Sequence, residues 1–168
     1  MVEVELTSVR VDLRSNTPLI LLREKDEPHR SLPIFIGAPE ASAIAMAQRG
    51  FEAPRPLTHD LLVNTIDSLG AHIERIEVVD LVDSTYYADI YLSGLSGSIQ
   101  LSARPSDAVA LAVRVNVPIF VNEDLMEREG VIVSEDGEEE ETQDSGDDQS
   151  VLSEFREFLD KITPEDFS

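Results

Sequence analysis

The chain has no cysteine and no tryptophan, and only 13 of its 168 residues are basic. Without thiols, disulfides, thiolate metal centres and cysteine nucleophiles are excluded, and the composition fits a reducing compartment. No apolar run approaches the roughly 20 residues that span a bilayer, and Met1-Val2-Glu3-Val4-Glu5 lacks the basic flank of a secretion leader. A cytoplasmic protein without membrane contact is the expectation. Gly-x-x-x-x-Gly-Lys-[Ser/Thr], Gly-x-Gly-x-x-Gly, Gly-x-Ser-x-Gly and His-Glu-x-x-His are also missing, so phosphate-loop, dinucleotide, serine-elbow and zinc-protease chemistry find no support. Aromatic residues make up 5% and do not interleave with basic ones, so a stacking platform for single strands is not indicated. Tyr86, Tyr87 and Tyr91 fall at strand spacing and read as sheet packing.

Acidic residues, by contrast, are abundant, and they are unevenly placed. Residues 134–168 hold 14 acids and 2 bases, a net −12, while residues 1–133 hold the other 20 acids and 11 bases, a net −9. A net-negative core argues against loose polyanion binding, but screening makes the charges near a site more important than the total. The segment 134–150 has acids with Gly, Ser and Gln and no large apolar residue, the composition of a disordered linker. Beyond it, Val151, Leu152, Phe155, Phe158, Leu159 and Ile162 recur at helical spacing, predicting an amphipathic helix over 151–163. That helix needs a cover, either its own domain or a partner protein. The tail has two readings, a solubility spacer or a tethered polyanion that competes at basic residues of the core.

Residues 1–133 read as one domain. Val2, Val4 and Leu6 alternate with polar residues on even numbers and Val9, Val11 and Leu13 on odd numbers, so a bulge or bend interrupts one long strand. Strands at 19–22 and 32–36 form a hairpin pair, and strands at 73–82, 85–92 and 98–102 form an antiparallel meander. Helices are expected from Gly37-Ala38-Pro39-Glu40 through Gln48, over 59–68 with Thr58 as cap and Leu57 and Leu62 as a staple, over 106–115, and over 123–128. A short buried strand fits 118–121. This is an α+β fold: a mixed, largely antiparallel twisted sheet with three to four helices packed on it. Pro33-Ile34-Phe35-Ile36 before Glu40 echoes Pro118-Ile119-Phe120-Val121 before Glu123, which ordinary strand packing explains.

Two segments share a pattern that bears on chemistry. Arg55-Pro56-Leu57-Thr58-His59-Asp60 and Arg104-Pro105-Ser106-Asp107 each set an Arg-Pro pair, a hydroxyl and an Asp at a helix start. Free N–H groups and a partial positive charge make a helix start a ready anion site, which an arginine strengthens. Thr58 and Ser106 also read as plain caps, and the Asp residues as partners of the helix dipole. On the chemical reading, Arg55, Thr58, Arg104 and Ser106 hold a phosphate. Glu40, Asp60 and Asp107 converge as oxygen ligands for Mg²⁺ or Mn²⁺, and His59 serves as general acid or base, histidine being the side chain that moves protons near neutral pH.

In order along the core stand Leu32-Pro33-Ile34-Phe35-Ile36-Gly37, Glu40-Ala41, Arg55-Pro56-Leu57-Thr58-His59-Asp60-Leu61-Leu62, Ala103-Arg104-Pro105-Ser106-Asp107-Ala108 and Pro118-Ile119. Together they resemble the bifunctional nuclease family. The resemblance implies a cytoplasmic α+β domain, often oligomeric with a dimer the simplest form, that cleaves DNA and RNA. It supplies candidate positions and no assigned roles. Ser102 departs from the pattern, because an acid is expected before Ala-Arg-Pro-Ser-Asp. The competing reading is a non-catalytic regulator that binds a small anionic ligand or a protein through the same helix starts.

Overall fold

The slip in the first apolar alternation is a β-bulge. Strand β1 (Val2–Asp12) pairs antiparallel with β2 (Thr17–Glu24), and its register shifts between Leu6 and Ser8. The extra residue brings the even-numbered apolar set before it and the odd-numbered set after it onto one face, so that Val2, Val4, Leu6 and Val9 all reach the core. β2 continues into the expected hairpin with β3 (Ser31–Phe35). The structure is a computed structural model that describes residues 1–94 and 97–132. The expected boundary at Val133, the linker 134–150 and the helix 151–163 lie outside the described residues.

The second half repeats the scheme. Strands β4 (Ala71–Val82), β5 (Thr85–Gly94) and β6 (Gly97–Ala103) form the expected antiparallel meander, each slightly longer than its apolar run. Between the two halves lies β7 (Ile119–Val121), antiparallel to β1 and parallel to β4, which gives one seven-stranded sheet in the order β3-β2-β1-β7-β4-β5-β6. Three residues suffice for this central strand because Ile119 and Val121 are buried and pair with Val2, Val4, Ile76 and Val78. The sequence echo between residues 33–36 and 118–121 therefore joins an edge strand to a central one and marks no structural repeat.

Four helices complete the described residues: α1 (Ala38–Gln48), α2 (Thr58–Ser68), α3 (Pro105–Val115) and α4 (Glu123–Glu129). Helix α3 packs on α1, α2, β4 and β5. This central place explains why its residues Pro105, Ser106, Ala108, Val109, Ala110, Leu111 and Ala112 are all buried. Alanines on both helices, with Ala41 and Ala45 buried on α1, let the backbones approach closely. None of the described helices is long and apolar enough to cross a membrane.

Two expected caps are corrected. Leu57 and Arg104, not Thr58 and Ser106, occupy the cap positions, and neither makes a side-chain cap bond. At α3 the reason is Pro105: a proline at the first helical position loses no hydrogen bond, so Ser106 falls one residue inside the helix. At α2, Asp60 reaches back to accept a hydrogen bond from the Leu57 N–H at 2.9 Å, which holds the turn without a hydroxyl. Leu62, expected to staple against Leu57, is 42% exposed.

The β2–β3 turn is locked by charge. Glu24 is only 4% exposed, and its carboxylate accepts from the Arg30 backbone N–H, Nε and Nη2 at 2.9, 3.0 and 2.7 Å. The Arg30 hydrogen bond is the main cause holding the Glu24 carboxyl below the usual Glu value. A depressed folded pKa contributes stability in full above the unfolded value near 4.5, and this contribution is lost as pH falls through the lower folded value. Glu24→Gln should therefore flatten the acid limb of stability against pH below about 4.5 and cost about 2–4 kcal/mol at neutral pH. Urea unfolding midpoints across pH 3–7 measure both.

Candidate active site

The starts of α1, α2 and α3 converge, and charge holds them together. Arg104, at the cap position of α3, donates from Nη2 to Glu40 Oε1 on α1 at 2.9 Å. The same guanidinium grips Asp107 with Nε to Oδ2 at 2.7 Å and Nη2 to Oδ1 at 3.0 Å. From α2, His59 Nε2 lies 3.2 Å from Asp107 Oδ1. Asp107 is thus the hub, bound by a guanidinium on one side and an imidazole on the other. Burial raises its pKa, but the hydrogen bonds from Arg104 and His59 outweigh burial and leave the carboxyl below the usual Asp value. Hydrogen bonds to Asp107 and then to Glu40 push the Arg104 pKa upward, so the guanidinium stays charged.

His59 and Glu40 are largely enclosed, with side chains 12% and 17% exposed, whereas the Arg104 side chain is 66% exposed. Among the described residues the Arg104 Nη1 and the His59 Nδ1 take part in no hydrogen bond. An oriented imidazole with one unoccupied nitrogen beside a cation is the arrangement of an acid–base pair next to an oxyanion donor. Gly37 makes room for the array. A Cβ at this position would collide with Glu40 Oε2, although the backbone, at φ −72° and ψ 153°, suits any residue. Gly37→Ala should lose at most about 1 kcal/mol, because the atom it meets is the end of the Glu40 side chain, which can turn aside by giving up Arg104, and adding Glu40→Ala should restore most of it. Thermal unfolding of the single and double variants checks the pairing.

The sequence expectation that Glu40, Asp60 and Asp107 meet on one cation is not what the side chains do. Asp60 turns to Arg114, whose Nε donates to Asp60 Oδ1 at 2.6 Å. Among the described residues no group of three or more His, Asp or Glu is placed to hold a metal ion. The donors as they stand do not fit Mg²⁺ or Mn²⁺, since two of the carboxylates are committed to Arg104 and the third to Arg114. Burial raises the pKa of Asp60, and the hydrogen bonds from Arg114 and the Leu57 N–H bring it below the usual value.

Arg114 is the residue that sequence reasoning missed. It also donates to the carbonyls of Ala110 at 2.8 Å and Ala43 at 3.2 Å, tying α1, α2 and α3 into one body. Its signal was a lone cation in the last turn of an otherwise apolar helix, which has to find a partner when the helix is buried. Arg55 and Thr58 are exposed and make no side-chain hydrogen bond among the described residues, so contacts do not bring them into the array. Ser102 pairs in register with Asp89, and Ala103 with Ala88. Strand alternation sets Ser102 on the face away from buried Ala88 and Ile90, hence away from α3. The residue type at 102 does not enter the His59–Asp107 array.

Beside Arg104 opens a cavity of about 380 Å³, bounded by Thr17, Ile34–Gly37, Ser84–Tyr86, Pro105 and Ser106. Ser106 is 6% exposed, yet its hydroxyl has no hydrogen-bond partner among the described residues. Ser106 lies in the first turn of α3, ahead of the first helical hydrogen bond, from Ala108 to Arg104.

Residues 20–134 match the profile of the bifunctional nuclease domain. The chain belongs to the bifunctional nuclease domain family. All the residues of the array fall within the matched region. Over 167 residues the chain is 44% identical to an uncharacterized protein of Mycobacterium tuberculosis, a match covering 99% of this chain and 98% of that one. It is 30% identical over 121 residues to bifunctional nuclease 2 of Arabidopsis thaliana and 28% identical over 123 residues to bifunctional nuclease 1 of the same plant. Those matches take in 70% and 71% of this chain but only 37% and 38% of the plant proteins, which are much longer.

Proposed function

We propose that this domain hydrolyses phosphodiester bonds of DNA and RNA with little sequence preference. Family membership makes a nuclease the first reading, and the His59–Asp107–Arg104 array carries it at the level of residues. Asp107 fixes the ring by accepting from Nε2, which leaves Nδ1 to take a proton from water. The water oxygen forms the new bond to phosphorus, the bond to the leaving sugar oxygen breaks, and solvent returns a proton to that oxygen. Arg104, which bonds Asp107 and leaves Nη1 unused among the described residues, would meet the charge that builds on the phosphoryl oxygens. Water as nucleophile needs no 2′-hydroxyl, so DNA and RNA are equally open to it. Contacts confined to phosphate give positioning without base readout. No step is routed through a metal ion.

The second reading, a regulator that binds a small anion, is favoured by the cavity beside Arg104, which is of a size for a small molecule. One experiment separates the two. Labelled single-stranded DNA and RNA are incubated with the purified chain and with Asp107→Ala made in parallel, in Mg²⁺, in Mn²⁺ and in EDTA. Cleavage by the parent chain that the variant lacks supports the nuclease. Equal cleavage by both marks a contaminant, and binding without cleavage supports the regulator.

A further inference from the structure

The cavity beside Arg104 is lined by two unlike sets of groups. One set is the Ser106 hydroxyl, without a hydrogen-bond partner among the described residues, together with the Ser106 N–H in the first turn of α3 and the Arg104 guanidinium. The other set is two aromatic rings. Phe35, the last residue of β3, is 56% exposed although it is a large apolar side chain, and Tyr86 of β5 lies half-buried with a hydroxyl that has no hydrogen-bond partner among the described residues. Thr17 and Thr85 add hydroxyls to the wall.

The helix start of α2 offers a contrast. There Asp60 turns back onto the Leu57 N–H, so the helix supplies its own anion. At α3 the corresponding Asp107 bonds to His59 and Arg104 instead, and among the described residues no side chain accepts from the backbone at the start of the helix. Glu40 and Asp107 do not line the cavity, so Arg104 separates it from the two carboxylates. The volume of about 380 Å³ lies within the ~300–1,000 Å³ typical of small-molecule sites.

We infer that this cavity is a mononucleotide subsite, with a phosphate at Ser106, Arg104 and the start of α3, and the attached nucleobase against Phe35 and Tyr86. The assignment of the organic part to a nucleoside rests on the nuclease reading. The aromatic rings accept any base, because stacking needs only a flat π-face. The subsite would hold one nucleotide of the substrate chain, separated by Arg104 from the Glu40 and Asp107 carboxylates. Aromatic residues far apart in sequence, one ending β3 and one near the start of β5, are brought together here only by the fold.

Calorimetric titration of the full chain with 5′-AMP, ribose 5-phosphate, adenosine and inorganic phosphate tests the assignment. The expected order has 5′-AMP binding at least about tenfold more tightly than ribose 5-phosphate, the loss expected for one stacked base. It should also exceed adenosine and inorganic phosphate by a similar factor. Phe35→Ala, at an exposed position that leaves the core unchanged, should bring 5′-AMP down to the ribose 5-phosphate level. Ser106→Ala should weaken the phosphate-bearing ligands and leave adenosine unchanged. Equal binding of 5′-AMP, ribose 5-phosphate and phosphate would overturn the nucleoside half, as would a Phe35→Ala variant that binds 5′-AMP as the parent does. Absence of 5′-AMP binding by a chain that cleaves oligonucleotides overturns the subsite and leaves the nuclease standing. The full pattern in a chain that cleaves nothing does the reverse.

Discussion

His59→Ala is expected to lower nucleic-acid turnover by about 10²–10⁴-fold, the usual contribution of a positioned acid–base group. The fold should be kept, because the Arg104 pairs with Glu40 and Asp107 persist without the imidazole. The loss belongs in kcat, with KM little changed, since the phosphate contacts lie on α3. His59→Gln does not rescue, because an amide cannot cycle a proton. Asp107→Asn should fall nearly as far: it removes the carboxylate that orients the ring while preserving shape. The pH profile adds a sign. With its folded pKa below the ordinary Asp value of 3.8, Asp107 is charged over the neutral range, and its pairs are lost only as pH drops through that lower value. Protonation of Asp107 should therefore not limit turnover above about pH 4. Steady-state rates on a labelled oligonucleotide from pH 4 to 9 provide the comparison.

The largest loss of stability near the site is expected from Asp60→Ala. Arg114 is 9% exposed and would remain in the helix layer without its one carboxylate partner among the described residues, although the Ala43 and Ala110 carbonyls still accept from it. Removing one member of such a buried pair costs about 3–5 kcal/mol, reduced to about 2–3 kcal/mol here because Asp60 itself is 36% exposed. For a domain of this size that lowers Tm by roughly 10 °C. The double variant Asp60→Ala/Arg114→Met should recover part of the loss, since no charge is left buried. Differential scanning calorimetry of both variants measures the recovery. Asp60→Ala should also retain turnover per folded molecule, a behaviour foreign to a metal ligand.

These two outcomes divide residues that look alike in the sequence. Asp60 and Asp107 each follow an Arg-Pro pair and lie in the first turn of a helix, yet one locks the scaffold and the other anchors the imidazole. Strand periodicity could not tell them apart, because their partners come from elements about 50 residues away. What periodicity did reveal was local: the bulge in β1, the β2–β3 hairpin and the β4–β6 meander. The caps lie one residue before Thr58 at α2 and two before Ser106 at α3, where Pro105 itself occupies the first helical position. The expectation that Glu40, Asp60 and Asp107 share one cation did not foresee that Arg104 binds Glu40 and Asp107. The cavity had no sequence signal at all, since Phe35 and Tyr86 meet Ser106 only after β7 has joined the two halves of the sheet.

The central claim is that phosphodiester cleavage depends on the Asp107–His59 pair and not on a three-carboxylate set that includes Asp60. Turnover of a labelled oligonucleotide by Asp107→Ala and Asp60→Ala, each normalised to its folded fraction, tests it most directly. The account predicts a loss of about 100-fold or more for Asp107→Ala and near-parental turnover for Asp60→Ala. Equal, large losses in both variants, or an Asp107→Ala protein as active as the parent, would contradict it.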